Sequence, residues 1–206
     1  MPMRLPVLLV HGIWDTGLKL APIAEALERA GVPRTECVTL SKNDGSSSMT
    51  ELAREIAVIA DGLGPRIDLV GFSMGALVSR TYLQRHGGRD RVRRFVSIAG
   101  PHRGTLWARF ARSGALGIRD MSPTSALIAD LARDPDPWGR CEVHTLWTPL
   151  DGMIVPPSSS QLPGSKSDRR IPIPMHRWLV SDDRAIAHVV RVLTAPEAPE
   201  SGTMRP

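Results

Sequence analysis

The chain has 206 residues, 42% of them hydrophobic, which suffices for one substantial core and is thin for two. Its formal charge is +5, but the basic residues are scattered and only Lys19, Lys42 and Lys166 are lysines. The densest run, Arg89 to Arg94, is short and has no interleaved aromatic stacking residues, so the charge reads as a solvated surface rather than a nucleic-acid footprint. No apolar run approaches the length of a membrane span, so no stable membrane insertion is expected.

The first element is a buried strand over residues 4–10, RLPVLLV. It is too short for a secretory leader and runs straight into His11-Gly12, so a cytoplasmic location is expected. Leu20, Ile23, Ala24 and Leu27 share one face of a helix over 19–30, with Gly31 behind it as C-cap. A strand follows at 36–40, and then the polar loop SKNDGSSS. Ser48 and Glu51 form a capping box, and Met49, Leu52, Ile56 and Ile59 lie on one face of the helix behind it. A third strand spans 66–72, a helix 74–85, and a fourth strand 92–98. The stretch 101–140 is less regular, with one helix near 123–132. The fifth strand is 141–147. A Ser/Pro/Gly loop covers 156–168, and a short strand at 169–173 carries Pro172, which suits only an edge. The last helix is 182–193, with Ser181 as N-cap. The expected division is one domain over 1–193 and a disordered tail over 194–206.

Apolar strands alternating with helices imply an α/β fold: a mostly parallel sheet of about six strands with helices on both faces. Ligands in such sheets lie at the C-terminal strand ends. Cys37 and Cys141 form no disulfide framework and no metal-ligand spacing, so buried thiols and no metal or cofactor are expected.

The chemistry is carried by IDLVGFSMGALVSR, residues 67–80. A strand, a G-x-S-x-G turn and a helix form a nucleophile elbow, which lifts the Ser73 hydroxyl above the sheet. The turn is so tight that Gly71 and Gly75 must be small. It also puts the Met74 amide at a helix N-terminus, where an oxyanion would form. A glycine turn that merely packs closely is the bland alternative; a P-loop lacks its Gly-Lys-Ser/Thr ending here.

A serine nucleophile needs a base, and the base an orienting acid, in the chain order serine, acid, histidine. Asp151 stands just past the fifth strand and His176 just past the last one. The competitors fit worse. His144 lies within a strand, His188 in the closing helix, and His86 in a helix's last turn. Asp134 and Asp136 precede the fifth strand, and Asp182 and Asp183 begin a helix. A second oxyanion amide is expected from Ile13, after the first strand, with His11 shaping that loop.

The segments VLVHGIWDT, DLVGFSMGALVSRTYLQ, AGPHRGT and PLDGMIVP resemble the α/β-hydrolase lipases and esterases, most of all the small bacterial triacylglycerol lipase-like branch, over about residues 5–193. The resemblance implies a single-domain minimal α/β-hydrolase fold with Ser73, Asp151 and His176 as catalytic triad and the Ile13 and Met74 amides as oxyanion hole. His102, in the PHRGT segment, shapes a loop over such sites. The elbow departs from the pattern of that branch: it reads GFSMGA where GHSMGG is usual.

Four tryptophans border the expected site loops: Trp14, Trp107, Trp147 and Trp178. Large apolar rings there suit an acyl chain or lipid substrate, with ordinary packing as the alternative. The expected pocket residues are Trp14, Leu106, Trp107 and Trp178, with Phe110, Leu116 and Ile118 available to line it. The expected reaction is hydrolysis of a carboxylic ester through an acyl-enzyme. The alternatives are an acyltransferase, thioesterase or amidase with the same triad, and a catalytically silent binding fold.

Overall fold

A computed structural model describes residues 4–110 and 115–197. Its twelve regular elements are β1 (Val7–Val10), α1 (Ala21–Arg29), β2 (Thr35–Val38), α2 (Met49–Leu63), β3 (Ile67–Phe72), α3 (Met74–Arg85), β4 (Val92–Ile98), α4 (Leu116–Asp120), α5 (Ala126–Ala132), β5 (Glu142–Trp147), β6 (Ser167–Arg170) and α6 (Asp183–Thr194). The strands form one sheet in the order β2-β1-β3-β4-β5-β6, and every pairing is parallel. Parallel strands need crossovers, and the helices supply them on both faces.

Alternation along the strands divides the core. Val7 and Leu9 of β1, with Val70 and Phe72 of β3, pack with Ile23 and Leu27 of α1 and Val189 and Leu193 of α6. Leu8, Val10, Ile67 and Leu69 face the other way, against Leu52 and Ile56 of α2 and Leu77 and Val78 of α3. Between β1 and β3 the crossover changes face. The crevice at their C-terminal ends is the topological switch point of an open α/β sheet, and His11–Ile13 and Ser73 lie there.

Local chemistry sets the helix ends. The Ser48–Glu51 capping box forms at the start of α2. Gly31 (φ 84°) closes α1: its N–H donates to the Glu28 carbonyl at 2.8 Å, and the Val32 N–H to the Leu27 carbonyl at 3.0 Å, the double bond of a Schellman end. Asp182, not Ser181, caps α6, its side chain accepting from the Arg184 N–H. A carboxylate two residues before that amide reaches it, and Ser181 instead donates back to the Trp178 carbonyl.

Most element ends shift by one to three residues from expectation; β1 begins at Val7 rather than residue 4, and β2 is Thr35–Val38 rather than 36–40. Cys141 stands one residue before β5. The edge strand is Ser167–Arg170 rather than 169–173, because Pro172 and Pro174 lack the N–H that the ladder needs beyond Ile171. The region 101–140 holds α4 as well as α5, together with a short 3-10 turn over Leu106–Phe110. Of the expected tail, residues 198–206 lie outside the described residues. Ala195 and Pro196 are held by Arg94, which donates to both of their carbonyls. Among the described residues no helix is long and apolar enough to cross a membrane.

Candidate active site

Ser73 sits between the end of β3 and the start of α3 with φ 55° and ψ −124°, a backbone region that side-chain-bearing residues rarely occupy. The surrounding glycines enforce it. A Cβ on Gly75 would stand 2.3 Å from the His11 carbonyl oxygen, and one on Gly71 2.6 Å from the Ala76 Cα. The Ser73 N–H donates to the Ile98 carbonyl at 2.8 Å, which ties the turn to the end of β4. Among the described residues neither the Ile13 nor the Met74 N–H donates to another group.

His11 is fully buried. Its Nε2 accepts the Leu40 N–H at 3.0 Å, so its proton lies on Nδ1, which donates to the Gly12 carbonyl at 2.7 Å. This fixes the turn that presents Ile13. A Cβ on Gly12 would come within 3.0 Å of the Ser73 Cβ, so the turn lies directly against the serine.

Asp151 follows β5 and is buried. Its Oδ1 accepts the Met153 and Ile154 N–H groups, both at 2.9 Å, and its Oδ2 meets the His176 Nδ1 at 2.7 Å. A carboxylate only accepts, so His176 Nδ1 is the donor in this pair. The His176 Nε2 is buried and has no hydrogen-bond partner. The imidazole packs against the Phe72 ring, centroids 4.9 Å apart, and Phe72 is the residue before Ser73. Asp151 and His176 are therefore joined, and the His176 ring packs on the residue that precedes Ser73.

The two loops are fastened by Thr148, which is fully buried. Its hydroxyl donates to the Ile173 carbonyl (2.7 Å) and accepts the N–H groups of Ile173 (3.1 Å) and Leu150 (3.2 Å). Nothing in the local sequence pattern marks this threonine; its partner across the two loops, Ile173, is distant in the chain.

A cavity of about 300 Å³ opens beside Ser73. Of the residues expected there, Trp14, Trp107, Phe110 and Ile118 line it. Leu106 and Trp178 do not. Leu106 points out of its 3-10 turn, and Trp178 lines a separate shallow depression with Pro172 and Arg184. Leu116 faces a neighbouring polar cleft, and the Trp147 indole donates to Asp168 on the outer edge. Met121, Met153, Ile154 and Thr105 also line the cavity. Sequence reasoning had a usable signal only for Met153 and Ile154, which follow Asp151 in the same loop.

His102, His144 and His188 are buried as well. Burial holds His102 well below the usual imidazole range and His144 down to about 4. His102 Nε2 lies 2.6 Å from the Ser97 hydroxyl, beneath the site. Burial raises both thiols, Cys37 to about 11 and Cys141 further, which leaves them unreactive. Among the described residues no three metal-ligating side chains cluster.

A sequence model described as palmitoyl protein thioesterase matches residues 6–133, more than half of the chain. The fold is similar to that of Bacillus licheniformis lipase BlEst2. The propeptide form gives a TM-score of 0.74 at 16% identity, over 98% of this chain and 53% of that one. The mature form gives 0.73 at 15% identity, over 95% and 94%. Aspergillus fumigatus lipase B gives 0.79 at 15% identity, over 94% and 53%. This chain thus spans about half the length of two of these three. No curated protein sequence matches it significantly.

Proposed function

Because this chain belongs to the palmitoyl protein thioesterase family of α/β-hydrolases, we propose that it is a serine hydrolase of carboxylic esters with Ser73 as nucleophile, His176 as base and Asp151 as its orienting acid. The observations that carry the reading are the Asp151–His176 contact of 2.7 Å, the packing of the His176 ring on Phe72, and the next residue, Ser73, held at positive φ in the lining of an apolar cavity.

In this reading the free Nε2 of His176 takes the Ser73 proton as the hydroxyl oxygen attacks the ester carbonyl. The hydrogen bond between them tightens only once substrate is bound, as is common in free enzymes. Asp151 holds the imidazole in the right tautomer and stabilises its charged form. The Ile13 and Met74 amides receive the oxyanion, with the positive end of α3 behind the second. His176 then returns its proton to the leaving alcohol, and a water deprotonated by His176 releases the acid. The apolar lining suits an acyl chain, and the family match makes an acyl thioester the second substrate to test.

The test is hydrolysis of p-nitrophenyl esters and of an acyl thioester, with Ser73→Ala as blank and fluorophosphonate labelling of the wild-type protein. Turnover that disappears in Ser73→Ala is expected. Turnover that survives the substitution refutes the assignment of the nucleophile. A folded protein that neither turns over nor labels supports the silent fold instead.

A further inference from the structure

Gly45 lies in the loop between β2 and α2 at φ 84°. A Cβ there would stand 2.6 Å from the Ile118 Cγ1 and 3.0 Å from the Ile13 Cδ1. The two isoleucine side chains therefore converge on the bare face of this glycine. Both also line the cavity beside Ser73, and both pack on the larger half of the core.

The loop behind them is fastened on two sides. Toward the oxyanion turn, the Trp14 N–H donates to the Asn43 carbonyl at 2.8 Å, and the Asn43 amide donates to the Asp15 carbonyl. On the other side, the Gly117 N–H at the start of α4 donates to the Gly45 carbonyl at 2.9 Å. Gly117 is itself pressed against the loop, for a Cβ on it would lie 2.3 Å from the Ser47 carbonyl oxygen. At the far end of α4, Asp120 accepts the Met49 N–H at 2.8 Å, at the positive end of α2. Helix α4 is thus pinned at both ends, and Ile118 between the pins has little room to retreat.

Other lining side chains are far more exposed: Phe110 is 80% exposed, Trp14 66%, Trp107 59% and Met153 47%. The cavity thus combines a braced wall at Ile13 and Ile118 with lining side chains that face solvent.

We propose that Ile13 and Ile118, backed by Gly45, form the closed end of the acyl pocket and limit productive acyl chains to about eight to ten carbons, since a water-sized or methylene-sized group takes roughly 30 Å³ and the cavity offers about 300 Å³. The inference rests on the proposed ester hydrolase and deepens it. A longer chain must leave over Phe110 and Trp107, where its further methylenes remain wet and gain nothing. Ile13 also carries a proposed oxyanion N–H, so the group that measures the chain adjoins the group that stabilises the charge.

The experiment is kcat/KM over p-nitrophenyl esters from acetate to palmitate. Each methylene buried in the pocket is expected to raise it by up to about fourfold, the equivalent of ~0.8 kcal/mol, with a maximum or plateau near octanoate to decanoate. Ile118→Ala should move the optimum longer by about two to three carbons, the volume of the atoms removed. Ile118→Trp should move it shorter. Trp147→Phe, on the outer edge of the sheet and away from the cavity, should leave the optimum length where it is. A rate that climbs steadily to palmitate, or an optimum that is the same in Ile118→Ala and Ile118→Trp, overturns the inference while Ser73-dependent ester turnover stands. Absence of Ser73-dependent turnover on every ester, in a folded protein, overturns both.

Discussion

Replacing Ser73 by glycine should stabilise the protein while removing its proposed activity. The backbone at Ser73, φ 55° and ψ −124°, costs a residue with a side chain about 1–3 kcal/mol. Glycine reaches it freely but gives up about 0.5–1 kcal/mol in unfolded-chain entropy. The hydroxyl has no hydrogen-bond partner among the described residues, and the Ser73 N–H bond to the Ile98 carbonyl (2.8 Å) survives in glycine. The net gain is about 1 kcal/mol, which for a chain of this size raises the melting temperature by roughly 2–4 °C. Ser73→Ala is the control, since it lacks the hydroxyl and keeps the Cβ and hence the strain. Both variants are melted by circular dichroism under identical conditions. If Ser73→Gly melts at or below Ser73→Ala, the turn is not strained and the reasoning fails.

Two further perturbations address the shell around the site. Thr148→Val removes three hydrogen bonds and leaves both Ile173 backbone groups without a partner; a loss of about 2–4 kcal/mol and a fall in kcat of up to about 100-fold are expected, with Thr148→Ser restoring both. Unchanged kcat in a folded Thr148→Val would show that the two loops hold their geometry without it. Acid should also weaken the fold. Burial lowers the affinity of His144, His188 and His102 for protons in the folded state, so the unfolded chain binds more protons as pH falls from 6.5 toward about 4, and stability declines across that window. Urea midpoints between pH 7 and 4.5 measure this, and a flat profile would contradict the burial of these rings.

The strand–helix alternation, the capping box and the elbow are local signals, and each stands where the chain's own pattern puts it; α3 and β4 coincide with expectation to the residue. The expected order serine, acid, histidine also places Asp151 and His176 within one hydrogen bond. What was illegible depends on partners far apart in sequence. Thr148 reaches Ile173, Gly45 receives Ile118, and Met121 turns into the cavity only because α4 docks on the loop before α2. The tryptophans show the limit of proximity in sequence: Trp107 lines the cavity and its indole donates to the Gly152 carbonyl at 2.7 Å, while Trp178, next but one to His176, faces another depression.

The edge position of β6 bears on how the molecule fails. This strand pairs only with β5, its side chains are mostly exposed, and the segment that carries His176 hangs from its end. An edge strand can detach in a sub-global opening far cheaper than unfolding the sheet. Such an opening carries the imidazole away from Ser73 while β1, β3 and β4 stay paired. Under the proposed triad, loss of Ser73 labelling on heating is expected before the cooperative melt, so that a reporter on Ser73 and a reporter on the core record two different events.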